Sequence, residues 1–336
     1  MDWDKLGFKV TPTKTMYVAK TDKNLEWMPG EFVPYGMLEI HPSSGAVNYG
    51  QSGFEGMKAF RAVDGSIVLF RPEDNARRLQ QLAERFRIPP YPVDAFIDAV
   101  KKLVVENEEF VPPAEKGSLY IRPVLAGWGP VLGVGPADGN IFYIFVSPVG
   151  PYFKGGIRPI NLLVTDYHRA APHGTGNVKA AGNYAASLFP LGNAKANGYD
   201  EVLYLDARED RYVEEVGAAN FFAVLKSGII ATPKLGSVLG GITRDSVIRL
   251  AREEFEWTVE ERNVDIEEVL SEAVECFSTG TAAVITPVGS ITYRGTRHQF
   301  SDDKPGEQTM QLRDRLVGIQ TKRYPDPYTW VVPVTP

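Results

Sequence analysis

The sequence predicts a mixed α/β protein built from two domains. Its 336 residues are enough for about two domains of ordinary size, each with its own hydrophobic core. Hydrophobic residues make up 43% of the chain and charged residues 23%, which is typical of a globular protein and excludes disordered and collagen-like chains. Apolar, strand-like segments alternate along the chain with segments of helical period, and this alternation predicts the α/β class.

The first half of the chain predicts one α/β unit, the N-terminal domain at residues 1–150. Its strands are short apolar runs, and its two helices carry apolar residues at helical spacing. The predicted elements are strands at 32–40 and 66–70, helices at 73–87 and 95–107, and strands at 118–125 and 140–146.

A connection between the domains is predicted at residues 151–159. The surrounding run, SPVGPYFKGGIRP at 147–159, is dense in glycine and proline, which interrupt any periodic element. Residues 160–336 then form the second domain. It has predicted strands at 161–165, 201–205, 220–225, 273–277 and 283–286, helices at 184–196, 244–254 and 308–322, and an irregular tail at 324–336 that contains four prolines.

Charge and composition exclude several classes of partner. The net charge of -6 and the pI near 5.4 give no basic surface for nucleic acid, and no apolar run reaches the length of a membrane span. The first residues, MDWDKLGFKV, lack an apolar core behind a basic region, so we expect a cytoplasmic protein. The single Cys276 cannot form an intrachain disulfide, and the four histidines are scattered, so we expect no metal site.

Lys179 lies among glycines and small residues in the segment HGTGNVKAAGNYAAS at 173–187. A lysine that forms a Schiff base needs a crowded, water-poor site, with small neighbours that let a flat cofactor approach. Tyr184, five residues later, could direct its hydroxyl at the ring oxygen of such a cofactor. The alternatives are a surface lysine in a flexible loop and a packed core tyrosine, and this segment alone leaves them open.

Acidic residues precede a strand in the segment EEVGAANFF at 214–222. A carboxylate at the start of a buried strand needs a cationic partner, and a protonated pyridine nitrogen would be one. The alternative is a turn carboxylate that faces solvent.

Two segments could bind phosphate. LGGITRDS at 239–246 is a Gly-Gly turn that runs into a helix, and STGTAAV at 278–284 follows a strand with small hydroxyl residues. Helix capping by Thr243 or Asp245 is the alternative. Arg77 and Arg78 on the first predicted helix could add a fixed charge, unless they face solvent.

Together these segments resemble the branched-chain amino acid aminotransferases, which are fold type IV pyridoxal-phosphate (PLP) enzymes. The resemblance runs from about residue 32 to the last helix and rests on eight motifs in the family's order. They are FEGMKAF, LFRPEDNARRL, SLYIRPVL, VGPYFKGG, GNVKAAGNYA, EVGAANFF, LGGITR and STGTAAVITPV. The resemblance implies a smaller N-terminal α/β domain and a larger C-terminal pseudo-barrel domain that binds PLP.

The resemblance also implies roles for individual residues. Lys179 is the catalytic lysine that carries the cofactor, and Glu215 is the partner of the pyridine nitrogen. Glu215 is preferred to Glu214 because the family's acid lies five residues before the strand asparagine, here Asn220. The implied cofactor-binding residues are Arg78, Lys179, Tyr184, Glu215, Ile242, Thr243 and Thr281.

Substrate residues follow in the same way. The resemblance implies a carboxylate region formed by Tyr120, Arg122, Thr281 and Ala282, an apolar wall formed by Tyr49, Phe54 and Tyr152, and Ala218 nearby. The loop at 126–136 would reach into a partner subunit and place Leu132 and Val134 there, which implies a homodimer.

The implied reaction is a reversible ping-pong transfer of an amino group. L-leucine, L-isoleucine or L-valine donates it, and 2-oxoglutarate accepts it, giving branched 2-oxo acids and L-glutamate. The rivals are D-amino acid aminotransferase, aminodeoxychorismate lyase and a non-catalytic phosphate-binding module. The SLYIRPVL segment and the chain length argue against the first two, and the presence of a yellow cofactor would separate an enzyme from the third.

Overall fold

A computed structural model describes residues 1–150, 156–300 and 304–335 of the chain. These ranges form seventeen strands and eight α-helices. The strands are β1 (Thr15–Lys20), β2 (Glu31–Pro34), β3 (Ser52–Phe54), β4 (Met57–Arg61), β5 (Ile67–Phe70), β6 (Ser118–Gly127), β7 (Asn140–Val149), β8 (Ile160–Val164), β9 (Glu201–Leu205), β10 (Val213–Val216), β11 (Ala219–Leu225), β12 (Ile230–Pro233), β13 (Val259–Arg262), β14 (Ala273–Gly280), β15 (Val284–Tyr293), β16 (Thr296–Gln299) and β17 (Val331–Val334). The helices are α1 (Gly45–Tyr49), α2 (Pro72–Arg85), α3 (Val93–Glu106), α4 (Ala181–Ala185), α5 (Leu188–Ala196), α6 (Ile242–Glu253), α7 (Ile266–Glu272) and α8 (Glu307–Gln320).

The chain divides into two compact units. The first contains the described residues of Met1–Tyr152 together with Val178–Gly182 and Gly318–Pro336. The second contains the described residues of Phe153–Asn177 and Asn183–Val317. These units differ from the predicted domains because the segment around Lys179 and the end of the chain lie with the first unit.

The first unit is an antiparallel sheet with two long helices. Its strands follow the order β17-β5-β4-β6-β7-β1-β2, and β3 pairs with β6. Helices α2 and α3 place Leu79, Leu82 and Leu103 in a core with Phe142 of β7. Pro72 begins α2, where a missing N–H costs nothing because the first N–H groups of a helix have no partner within it.

The second unit contains a closed ring of six strands, in the order β10-β9-β8-β15-β14-β11, which β10–β11 pairing closes. Strands β8–β9 and β8–β15 are parallel, and the other ring pairs are antiparallel. A ring of this kind is the predicted pseudo-barrel. The mixed α/β class and the pseudo-barrel are therefore confirmed.

Among the predicted elements that differ from the structure, three contain a proline at or near the difference. The strand predicted at 32–40 ends at Pro34, which pairs with Thr15, the first residue of β1. The helix predicted at 184–196 is two helices, because Pro190 cannot donate to the carbonyl of residue 186. The tail predicted to be irregular contains β17, and Pro333 is tolerated there because β17 is an edge strand.

Among the helices of the described ranges, none combines the length and the apolar character needed to cross a bilayer.

Candidate active site

Lys179 belongs to the first unit and is held there by its neighbours. Val178 and Ala180 are buried in that unit's hydrophobic core, while the Lys179 side chain is half-buried. The backbone N–H of Phe54 donates to the Lys179 carbonyl at 3.2 Å, and Ala180 forms an isolated bridge with Gly53. These contacts fix the backbone on both sides of the lysine, which argues against a lysine in a flexible loop.

The ring of Phe54 lies against two cationic side chains. The Lys179 Nζ atom is 5.0 Å from the ring centroid, and the guanidinium carbon of Arg122 is 4.5 Å from it. Arg122 also lies 5.2 Å from the Tyr120 ring and donates to the Tyr120 hydroxyl at 3.3 Å. Its buried Nε has no hydrogen-bond partner among the described residues. An aromatic wall beside a lysine and an arginine suits a ligand with an apolar part and a carboxylate.

Arg78, which the family resemblance prefers, and its neighbour Arg77 have different surroundings. Arg77 is exposed on α2 and pairs with Glu73 one turn away, at 2.5 Å. Arg78 is buried, and its Nε and Nη2 atoms donate to the two carboxylate oxygens of Glu55 at 2.7 and 2.8 Å. Only Arg78 is therefore held inside the first unit, as a phosphate-binding arginine would have to be.

Tyr49, Leu132 and Val134 lie together at the surface of the first unit. The Tyr49 hydroxyl donates to the Leu132 carbonyl, and the exposed fractions of Leu132 and Val134 are 89% and 92%. Two apolar side chains so exposed are unusual unless another surface covers them. Tyr152, the other predicted wall residue, lies outside the described residues.

In the second unit, Glu215 is buried beside an arginine that the sequence did not indicate. The Arg169 Nε lies 3.3 Å from a Glu215 carboxylate oxygen and also donates to the Gly217 carbonyl at 3.0 Å. The Arg169 guanidinium carbon is 4.9 Å from the centroid of the Tyr184 ring, and the Arg169 Nη1 donates to the Asn183 carbonyl. Arg169 therefore links two predicted cofactor residues, Glu215 and Tyr184.

Glu214 is also buried, but it has a different partner. The Ser237 hydroxyl donates to its carboxylate, and burial raises the pKa of the Glu214 carboxyl above its ordinary value. No arginine pairs with it among the ion pairs of the described ranges. The two adjacent acids are thus chemically distinct.

Strand register brings the remaining predicted residues to one end of the ring. Glu215 pairs with Asn220, and Asn220 pairs with Thr279. The β10–β11 turn, which contains Ala218, and the β14–β15 turn, which contains Thr281 and Ala282, follow these positions directly. Because paired strands keep their order along the sheet, both turns lie at the same end of the pseudo-barrel.

Helix α6 begins without a side-chain cap. Its first residue, Ile242, follows Gly241, which has no side chain to accept from the helix N–H groups, and Thr243 is buried in the first turn. The start of a helix with no cap of its own can bind an anion through its backbone donors. The donor groups at this turn therefore suit a phosphate.

Position 241 also requires a glycine, because its backbone lies close to the Asn220 side chain. The Asn220 Nδ2 donates to the Leu239 carbonyl at 2.8 Å, and a Cβ built on Gly241 would lie 2.0 Å from Asn220 Oδ1. We expect Gly241→Ala to lower the free energy of unfolding by about 1 to 3 kcal/mol, because the extra methyl overpacks this turn. Urea unfolding followed by circular dichroism measures this change.

Gly240→Ala is the matched control for that measurement. A Cβ on Gly240 would meet only Leu235 Cδ1, at an ordinary 3.7 Å. We expect the free energy of unfolding to change by no more than about 0.5 kcal/mol. Equal destabilisation by both variants would contradict the overpacking explanation.

Sequence patterns did not indicate Glu55 and Arg169, because the role of each depends on a buried ion pair with a residue that is distant in the sequence. Glu55 was seen only as part of the FEGMKAF motif, and Arg169 lies in a loop with no periodicity. Both charges are buried and paired. Within the described residues, no group of three or more His, Cys, Asp or Glu side chains could hold a metal ion.

Comparisons with known proteins agree on one family. The sequence model of the amino-transferase class IV family matches residues 53–291. Branched-chain-amino-acid aminotransferase 5, chloroplastic, of Arabidopsis thaliana is 49% identical over 99% of this chain and 80% of that protein. The branched-chain-amino-acid aminotransferase of Haemophilus influenzae is 43% identical over 99% of each chain.

A solved structure agrees as well. The crystal structure of the branched-chain amino acid aminotransferase of Thermobaculum terrenum in its PLP form has a TM-score of 0.80 and 28% identity to this chain. The match covers 97% of this chain and 99% of the other.

Proposed function

The chain belongs to the amino-transferase class IV family, and we propose that it transfers amino groups between branched-chain amino acids and 2-oxoglutarate. The reaction is reversible and ping-pong: L-leucine, L-isoleucine or L-valine is converted to its 2-oxo acid, and L-glutamate is formed. The observation that carries this proposal is the arrangement of Lys179 and Arg122 over the single ring of Phe54. It puts an amine and a carboxylate-binding group beside an apolar wall.

The cofactor is pyridoxal phosphate, and side chains within each unit, taken separately, suit parts of its chemistry. Its phosphate matches the buried Arg78 and the start of α6 at Ile242 and Thr243, to which Thr281 would add a hydroxyl. Its pyridine nitrogen matches the buried carboxylate of Glu215, and its ring oxygen the hydroxyl of Tyr184. When bound, the cofactor supplies an electron sink for the carbon that loses its proton.

Lys179 acts twice in this proposal. Its amine would hold the cofactor covalently, and the same amine, when free, would move the proton at the substrate Cα. The backbone around Lys179 is fixed by the hydrogen bond from Phe54 and by the bridge between Gly53 and Ala180. A fixed backbone limits the positions that the lysine amine can take, which favours a reaction at one place. The Glu215 carboxylate would bind the pyridine nitrogen, and Arg169, 3.3 Å away, compensates the buried carboxylate.

Residues of the first unit would hold the substrate. We assign Arg122 and Tyr120 to the carboxylate and Phe54 to the apolar side chain, because the Arg122 side chain contacts both of these aromatic residues. We also assign Tyr49 to the wall. In the second unit, Ala218, Thr281 and Ala282 lie in the two turns at one end of the pseudo-barrel, and we assign them to the substrate as well.

Removing the Arg122 charge should weaken substrate use. We expect Arg122→Leu to lower kcat/KM for L-leucine and for 2-oxoglutarate by about 10- to 100-fold, because a charged hydrogen bond to a carboxylate is lost. Steady-state kinetics with each substrate measures the loss. Arg77→Leu is the control: Arg77 is exposed and should leave both values within about twofold of the wild type.

We also propose a homodimer in which Leu132 and Val134 enter the partner's site. Their exposure supports this, since a second subunit would cover them. A cytoplasmic location remains a prediction from the sequence.

The reaction itself is tested by absorbance. The purified protein with PLP should be yellow, and L-leucine should bleach the band that 2-oxoglutarate restores. A protein that stays colourless with PLP would refute the proposal, and one that responds only to D-alanine would move it to D-specific relatives.

A further inference from the structure

Glu55 is a buried carboxylate to which the reaction assigns no role. Its exposed fraction is 0%, and it precedes β4 in the first unit. An ionised carboxylate inside a protein is costly unless its oxygens are fully hydrogen-bonded. The groups that surround Glu55 therefore show what it does.

Four donors converge on Glu55. Arg78 Nε donates to one oxygen at 2.7 Å, and Arg78 Nη2 donates to the other at 2.8 Å. Asn75 Nδ2 donates to the second oxygen at 2.7 Å, and the Gly56 backbone N–H does so at 3.3 Å. Asn75 and Arg78 lie on one face of α2, three residues apart, so a single helix face is aimed at this carboxylate.

The electrostatics agree with an ionised Glu55. Burial alone would raise the pKa of its carboxyl, but the charge and hydrogen bonds of Arg78, the charge of Lys179 and the hydrogen bond from Asn75 together hold that pKa below its ordinary value. Glu55 is thus an anion paired with the arginine assigned to the phosphate.

The geometry of the guanidinium is the decisive step. Glu55 engages Arg78 through its Nε–Nη2 edge with two parallel bonds, which fix the plane and the rotation of the group. A guanidinium has five N–H donors, so one that is held along one edge by a carboxylate can still bind a second anion. A lysine in place of Arg78 could not be held in this way.

We propose that Glu55 is a positioning residue, which orients Arg78 for the cofactor phosphate through the paired bonds to its Nε–Nη2 edge. The inference rests on the proposed role of Arg78 and goes beyond it by naming the residue through which that role is achieved. Glu55 itself contacts neither substrate nor cofactor in this proposal.

The Glu55→Gln variant separates an effect of orientation from an effect of charge, because the two predict changes of opposite sign in the affinity for PLP. The amide keeps the shape, but it removes one negative charge and sets an N–H donor against an arginine N–H. If charge alone mattered, the phosphate would bind more tightly beside a less compensated arginine. If orientation matters, we expect the affinity for PLP to fall by roughly 10- to 100-fold.

The readout is cofactor binding, measured apart from turnover. Apoprotein prepared from the full-length holoenzyme is titrated with PLP and, separately, with pyridoxal, which lacks the phosphate. Glu55→Gln should weaken PLP binding and change pyridoxal binding by less than about threefold, because only the phosphate uses Arg78. Unchanged or tighter PLP binding would overturn the inference, as would an equal loss for PLP and pyridoxal.

Glu254→Gln is the matched control. Glu254 accepts from Nε and Nη2 of Arg315 in the second unit, which is the same edge-on arrangement without a proposed ligand. The Glu254→Gln variant should leave the affinities for PLP and for pyridoxal unchanged. A thermal melt of each apoprotein shows whether loss of an ion pair has disturbed the fold. PLP binding weakened equally by Glu254→Gln would overturn the inference.

Glu55→Asp keeps the test decisive if the amide variant does not fold. It retains the charge but withdraws the carboxylate by one methylene, so Arg78 must move or lose a bond. We expect PLP binding weakened by roughly 10-fold with pyridoxal binding retained, and an unchanged PLP affinity would overturn the inference. Wild-type apoprotein that binds no PLP would instead overturn the proposed function, which makes the two failures distinguishable.

Discussion

Lys179→Ala is expected to lose transaminase activity by at least about 10⁴-fold, because the variant loses both the covalent attachment of the cofactor and the amine that moves the proton. The contacts of Phe54 and Gly53 are to the backbone around position 179, so the fold of this segment should survive the truncation. Activity is measured as glutamate formed from L-leucine and 2-oxoglutarate. Visible spectra recorded with PLP should show no band that L-leucine bleaches.

Lys195→Ala serves as the control for Lys179→Ala. Lys195 is exposed in the last turn of α5, and its variant should keep the spectrum and the activity of the wild type. Turnover that persists in Lys179→Ala at more than about one part in 10³ would mean that another group attaches the cofactor or moves the proton.

Glu215→Gln is expected to lower kcat by about 10²- to 10³-fold while the cofactor remains bound. A neutral amide cannot keep the pyridine nitrogen protonated, so the cofactor withdraws electrons less strongly in the transition state. The change also leaves the buried Arg169 without the charge that lies 3.3 Å from its Nε. Single-turnover bleaching by L-leucine measures the chemical step directly.

The adjacent acid provides the contrast. Glu214→Gln removes a carboxylate that is equally part of β10 but bonds to Ser237. Because its raised pKa already favours the neutral acid relative to an exposed glutamate, the amide should change kcat by less than about threefold. A comparable loss in both variants would show that burial of an acid in this strand, and not contact with the cofactor, controls the rate.

The elements that sequence predicted well are those in which local pattern and tertiary burial agree. In α2, apolar residues at helical spacing are the ones that enter the core, so Leu79 and Leu82 could be placed from period alone. Strand β9 was predicted at its full extent for a similar reason, since four of its five residues are buried. Short strands such as β3 could not be found, because three residues carry no period.

The same contrast between local pattern and tertiary contact applies to the residues of the candidate site. The family resemblance preferred Glu215 to Glu214, and the structure gives the two acids different partners. Residue pattern alone could not separate Arg78 from Arg77, and only the resemblance chose Arg78, since the difference between them is which face of α2 meets Glu55. Arg169 carried no signal at all, because a buried arginine is identified by the carbonyls and the carboxylate around it and these come from distant parts of the chain.

The pairing of β17 with β5 gives the two units different completion times during synthesis. All strands of the closed ring lie between Ile160 and Tyr293, so the ring can form before β17 is made. The first sheet receives its edge strand only with Val331–Val334, which follow every strand of the ring in chain order. Until β17 is made, β5 presents unpaired backbone groups that can recruit a strand from another chain.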